Sequence, residues 1–331
     1  MQLTEKKQKG NVNTMSKIKI LFLGSPVAEY LENMVVHGLY SLPNVELTNY
    51  PKSIMMYEET FQTLKKGKIY GQGFTLFGTL PTYYGPYEEQ DILDKIKNNY
   101  FDLVMMSYVS AREKNWYTPG PNAFVKEIIK HYDKKQIVML EGHDLPDFFV
   151  DEAFEYATYF KREPFGNYRN DVMYPISFAF PEEKIQTSLP KVRTQAKMKP
   201  KPLGKIGRDY KYPYKNEQDY YDGYRHSLFG LTYKKSGWDC MRHYEIMACR
   251  CLPFFTDIDQ CPPEVCKTLP KDLIKEAVKM RGLYDDINYY HTEQGNKEYH
   301  DLESKIFEHF QKHCTTRTLA EYVLNVMDSV K

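Results

Sequence analysis

The chain runs to 331 residues, 42% of them hydrophobic, enough to bury two cores of ordinary domain size. Lysine and arginine number 45 against 44 aspartates and glutamates, for a net charge of +1. Proteins that grip DNA or RNA by neutralising phosphates carry a basic surplus, so the balance points away from nucleic acid and towards a small molecule or a neutral polymer.

Met1 to Ser16 is polar and lysine-rich. Without an apolar stretch it reads as a disordered leader, not a signal peptide. No uninterrupted apolar run approaches the roughly 20 residues of a membrane span, which predicts a soluble chain. Lys19 to Leu23 (KILFL) is a fully apolar strand that ends in Gly24-Ser25-Pro26. A helical pattern follows, with Tyr30, Leu31, Met34, Val35 and Leu39 on one side, and Val45 to Tyr50 suits a second strand. Ile92 to Ile96 reads as helix, Phe101 to Ser107 as strand, Ala123 to Tyr132 as amphipathic helix and Gln136 to Leu140 as strand. Apolar strands alternating with helices are the signature of a doubly wound parallel sheet.

Phe178 to Pro213 shows little periodicity and reads as an exposed loop, with Lys197, Lys199, Lys201 and Lys205 interleaved with Pro200, Pro202 and Gly204. Order resumes with a helix over Glu217 to His226, a strand over Leu228 to Tyr233, a helix from Asp239 to about Cys249 and a strand over Leu252 to Thr256. This second strand–helix–strand unit predicts a parallel sheet of its own. Leu269 to Arg281 and Asp301 to Val330 read as helical, the latter with a break near His313 to Arg317.

The cysteines are Cys240, Cys249, Cys251, Cys261, Cys266 and Cys314, without paired CxxC units. They read as free thiols in a reducing compartment, which predicts a cytoplasmic protein.

The stretch Tyr224 to Pro253 carries the most chemistry. A strand leads to a turn containing Gly237, and a helix then begins with Ser236 or Asp239 as N-cap. The free N–H groups at such a helix start suit a phosphate. Arg242 and Glu245 share one face of that helix. The arginine suits a diphosphate, and the carboxylate suits the paired hydroxyls of a ribose. The same spacing also describes a solvated ion pair, so it does not decide between the two.

This segment resembles the donor-binding segment of GT-B glycosyltransferases, and of the exostosin-like group among them. The resemblance rests on Ser227-Leu228-Phe229-Gly230-Leu231, Gly237, Arg242-His243-Tyr244-Glu245, Ala248 and Leu252-Pro253. The blocks Tyr159-Phe160-Lys161-Arg162-Glu163 and Gly237 to Glu245 are also similar to glycosyltransferase-like proteins of bacteria and large DNA viruses. The resemblance implies an α/β fold of two Rossmann-like domains facing a cleft. After the leader at 1–16 these would be an acceptor domain at 17–165 and a nucleotide-sugar-binding domain at 166–310. A C-terminal helix at 311–331 would brace the first. It further implies a nucleotide-sugar donor held by Glu245, Arg242, Gly237, Trp238, Ser236, Lys234 and Arg162, and a glycan or protein acceptor. Gly237 stands where many retaining enzymes have a second glutamate, which favours inversion.

Inversion needs a base for the acceptor hydroxyl. His143 and Asp144 follow the strand QIVML at the carboxyl edge where sheet ligands gather, and are the leading candidates. Gly24, Ser25 and His37 are candidates for the acceptor side. Asp257-Ile258-Asp259 matches a metal-binding DxD, a pattern that arises often by chance, and the reading is metal-independent with no cofactor. A non-catalytic nucleotide-sugar or glycan-binding protein of the same fold is the alternative.

Overall fold

The computed structural model describes residues 16–25, 28–62, 73–81, 88–111, 122–166, 173–188, 190, 195–198, 214–283 and 286–330. The opening apolar strand, β1 (Ile18–Leu23), is paired in parallel on both sides, with β2 (Val45–Tyr50) and β3 (Leu103–Ser107). β4 (Ile137–Glu141), β5 (Thr158–Arg162) and β6 (Met173–Ile176) extend the sheet. Its order is β2-β1-β3-β4-β5-β6 across six strands. The chain therefore reverses its winding at β1, so the carboxyl ends of β1 and β3 flank a topological switch point.

Both faces of this sheet are covered, which is why its strands read as apolar runs and not as alternations. Ile20, Phe22, Met105, Leu140 and Phe160 share one core with Leu31, Met34 and Val35 of α1 (Tyr30–Tyr40). Their neighbours Leu21, Val104, Met106 and Met139 face the other way. They pack with Ile92 and Ile96 of α2 (Glu89–Lys97) and with Val125 and Ile128 of α3 (Asn122–His131).

A second parallel sheet has the order β7-β8-β9, formed by β7 (Gln195–Met198), β8 (Ser227–Thr232) and β9 (Leu252–Phe255). With it go α4 (Glu217–Arg225), α5 (Met241–Ala248) and α6 (Lys271–Leu283). Phe229, Tyr244, Ile246 and Phe255 belong to the same hydrophobic cluster as α1, so one core runs from sheet to sheet.

Three expectations change. The segment from Phe178 is not all loop: Phe178, Ala179 and Phe180 are buried, and β7 lies within it. The basic residues Lys199, Lys201 and Lys205 lie outside the described residues, as does the leader up to Met15. The first sheet continues past residue 165 through β6. The helix expected from Asp301 starts earlier, as α7 (Glu293–His313), because the Thr292 hydroxyl caps it by accepting from the Gly295 N–H at 3.1 Å.

The last helix, α8 (Thr316–Ser329), packs on α1. Phe180 pairs in parallel with Thr315, and the Tyr322 hydroxyl donates to Pro175 O at 2.9 Å, so the chain's end is tied to the first sheet. Contact is closest at Gly38, where a Cβ would lie 1.9 Å from the Thr316 carbonyl oxygen. Two helix backbones cannot yield that space cheaply. Gly38→Ala is expected to cost roughly 2–3 kcal/mol of stability in urea denaturation, and a loss below about 0.5 kcal/mol would mean the α1–α8 contact is looser than described.

Candidate functional site

The carboxyl ends of β4 and β5 meet the turn before α5 around one side chain. Arg162 is 1% exposed, and all its nitrogens find acceptors. Nε donates to Gly142 O at 2.9 Å, Nη1 to Glu163 Oε1 at 3.2 Å and to Asp239 O, and Nη2 to Asp144 Oδ1. The guanidinium lies 4.2 Å from the centre of the Phe178 ring. Asp239 extends the knot. Its N–H donates to Glu163 Oε1 at 2.6 Å, and its carboxylate accepts from Phe178 N at 2.6 Å and the Tyr244 hydroxyl at 2.9 Å. Gly237 is needed here because a Cβ would sit 2.5 Å from Glu163 Oε1 and 3.1 Å from Asp144 Oδ1. Arg162, Asp144, Gly237 and the buried Trp238 are thus brought together.

A second buried pair shapes the β4 exit. Lys161 and Glu141 are both 0% exposed and 2.9 Å apart. Lys161 also donates to Leu145 O at 2.8 Å, which fixes the loop that carries His143 and Asp144. His143 is half-buried on the Phe149 ring, with centroids 4.1 Å apart. Burial and then the Lys161 charge hold its pKa below the ordinary value, so its ring is neutral. Leu145 N–H donates to Nδ1 at 3.1 Å, which assigns the remaining ring proton to Nε2. Asp144 meets Arg162 through Oδ1, and its side chain is 46% exposed.

The other proposed acceptor-side residues divide. Ser25 N donates to Glu32 Oε1 at 2.7 Å, and Gly24 abuts the same carboxylate and Asn49. Glu32 and Glu29 are buried acids whose pKa values burial raises, and Glu29 caps α1 beside Gly142. Neither was foreseen, since two acids at a helix start are ordinary dipole partners. His37 stands apart at the far end of α1. Its ring nitrogens meet the Thr316 hydroxyl at 2.8 Å and Glu183 at 2.9 Å, a bracing role.

The start of α5 corrects one expectation. Neither Ser236, which is exposed, nor Asp239 caps it; the N-cap is Cys240, without a side-chain cap bond. The Asp239 carboxylate is engaged by Phe178 and Tyr244 instead. The Cys240 sulfur lies 3.4 Å from His243 Nε2, and the ring's other nitrogen meets the Thr232 hydroxyl at 2.9 Å. Burial pushes the thiol's pKa up, but His243 and Arg242 outweigh it and bring it down to about 7. Lys234 gives its N–H to Asp257, at 3.2 and 3.1 Å from the two oxygens, and its ammonium lies 5.6 Å from the Trp238 ring centre.

Arg242 differs from Arg162. It is 5% exposed, yet its Nη2 has no hydrogen-bond partner among the described residues. Its guanidinium stands 5.5 Å from the centre of the Tyr233 ring. One turn later, Glu245 is 7% exposed. Its Oε1 accepts from the Thr75 hydroxyl at 2.8 Å and its Oε2 from Tyr220. Burial raises its pKa against the pull of these two hydroxyls. Thr75 and Tyr220 were not among the expected site residues.

Among the described residues no group of three His, Cys, Asp or Glu side chains is placed to hold a metal ion. Of the DxD pair, Asp257 serves Lys234 N and Asp259 reaches Lys275 at 3.5 Å. No described helix is long and apolar enough to cross a membrane. No family model, curated protein or solved structure matches the chain.

Glu163 links this geometry to pH. It is fully buried in the knot, and burial raises its carboxyl from an ordinary 4.5 to about 6, against the lowering pull of Arg162 and the Asp239 N–H. Because the folded pKa is raised, the contribution of Glu163 is fully present below pH 4.5 and is lost as pH rises through 6. Between those values the wild type is expected to lose about 2 kcal/mol relative to Glu163→Gln. Urea titrations at stepped pH check this; parallel curves for the two proteins would show that Glu163 does not titrate there.

Proposed function

We propose that this chain is a GT-B-type glycosyltransferase whose two Rossmann-like halves bind a nucleotide-sugar donor and a glycan or protein acceptor. The observation that carries the reading is Arg242: a buried guanidinium, short of a partner, at the start of a helix that no side chain caps. A buried cation left unpaired is costly. An incoming diphosphate would supply the missing acceptor and lie against the free N–H groups of the helix start. Glu245, one turn further, is the carboxylate that the resemblance assigns to the ribose.

The candidate acceptor side is the carboxyl edge of the first sheet. Asp144 is the better placed base of the two. One of its oxygens holds Arg162, and its side chain is otherwise accessible. His143 offers Nε2 as a donor while Leu145 occupies Nδ1, so it takes a proton only after that contact opens. The reaction is inverting displacement at the sugar, with the acceptor hydroxyl attacking, its proton going to Asp144 and the nucleoside diphosphate leaving. Arg242 and the helix start stabilise the leaving charge, so the reading needs no metal. Arg162, facing Gly142 and Asp239 together, holds base and donor turn in register.

A second reading, a non-catalytic binding protein, is favoured by the engagement of Glu245 and Asp144 within the chain itself. Calorimetry with UDP and GDP in the presence of EDTA tests the common element of both. One nucleotide is expected to bind, and Arg242→Ala to weaken it by about tenfold or more, the worth of a charge-assisted hydrogen bond. Binding of neither, or binding indifferent to Arg242→Ala, would remove the donor-site assignment.

A further inference from the structure

Thr75 has an unusual backbone and touches the candidate site. It is a β-branched residue with a φ of 76°, and it is completely buried. Left-handed backbone is a genuine outlier for such a residue and costs on the order of 1–3 kcal/mol unless its surroundings fix it. What fixes it is contact with residues far along the chain. Its N–H donates to Glu217 of α4, its hydroxyl donates to Glu245 Oε1 at 2.8 Å, and the Tyr221 hydroxyl lies 2.8 Å from the Thr75 hydroxyl oxygen. Lys184 closes on Glu217 at 2.8 Å, and Phe74 lies against Tyr220 with ring centroids 5.8 Å apart. The short segment Gly73 to Leu80, which follows α1 and β2 of the first sheet, thus reaches the carboxylate of a helix that belongs to the second.

The chemistry of that contact is informative. Two hydroxyls, from Thr75 and Tyr220, donate one to each oxygen of Glu245. A vicinal diol presents to a carboxylate the same arrangement. We propose that Thr75 stands in for a ligand hydroxyl, so that the cis-diol of a nucleotide's ribose binds Glu245 by displacing it. The inference rests on the nucleotide-sugar reading and deepens it. Donor binding becomes an exchange, and the same step frees the 73–80 segment of the first half. The strained backbone at Thr75 is released in that exchange, which lowers the cost of opening the site. Glu217 and Lys184 remain paired to each other and need no new partner.

The test compares wild type, Thr75→Gly and Thr75→Ser by calorimetry with UDP and GDP, together with amide exchange over residues 73–81. Glycine accepts a φ of 76° without strain, so Thr75→Gly keeps its backbone while losing the hydroxyl. It is expected to bind roughly tenfold more tightly, the worth of one hydrogen bond to a charged group, with Thr75→Ser close to wild type. In the wild type, nucleotide is expected to speed amide exchange over 73–81. Binding seen with Thr75→Gly alone would support the proposal equally. If a nucleotide binds the wild type but neither the affinity of Thr75→Gly nor the exchange at 73–81 changes, the stand-in role is wrong and the donor site survives. Binding of neither nucleotide to wild type or Thr75→Gly overturns the donor site and this proposal with it.

Discussion

A buried guanidinium has to be surrounded by acceptors or the fold does not tolerate it. Arg162 imposes that condition on the whole centre of the molecule. To satisfy it, the β4 exit turns so that Gly142 O and Asp144 face inward, and Glu163 adopts a φ of 67° beside it. The turn before α5 comes close enough to give Asp239 O, which requires Gly237 to have no side chain. The carboxyl edge of the first sheet and the start of α5 are therefore held together by one cation. Asp144, Glu163, Gly237 and Asp239 all meet at that joint.

The contrast with Arg242 gives the joint its meaning. Both arginines are almost wholly buried, one on β5 and the other on α5, the two elements that the knot unites. Every nitrogen of Arg162 has an acceptor, while Arg242 Nη2 has none among the described residues. The first is what a structural arginine looks like once the chain has completed it. The second is incomplete and sits in the first turn of a helix, a place suited to an anion. Thr75 on Glu245 is the contrasting case: there the chain's own hydroxyl occupies the carboxylate, while Arg242 Nη2 has no partner among the described residues.

Much of the fold was legible because strands covered on both faces are written as unbroken apolar runs. β1, β2 and β4 fall within a residue or so of their expected bounds. β5 was not read as a strand because its sequence TYFKR ends in two charges, and only the tertiary partners Glu141, Gly142 and Asp144 make their burial tolerable. β6 contains Pro175 and β7 is half polar, so neither announces itself. The site was legible where it is local, as in the Arg242 to Glu245 helix. It was not where it is made by distant groups. The cap failed at Asp239 because Phe178 and Tyr244 compete for that carboxylate, and the Thr75 contact spans 170 residues of chain. His37 shows the reverse case: a histidine on the first helix looks chemical in sequence but serves the α1–α8 contact.

The most direct test of this account is a crystal structure of the chain with UDP or GDP bound. The account predicts diphosphate oxygens about 3 Å from Arg242 Nη2, over the first turn of α5, with Arg162 still joining Gly142 to Asp239. A nucleotide seated elsewhere on the surface, with Arg242 still unengaged, would contradict it.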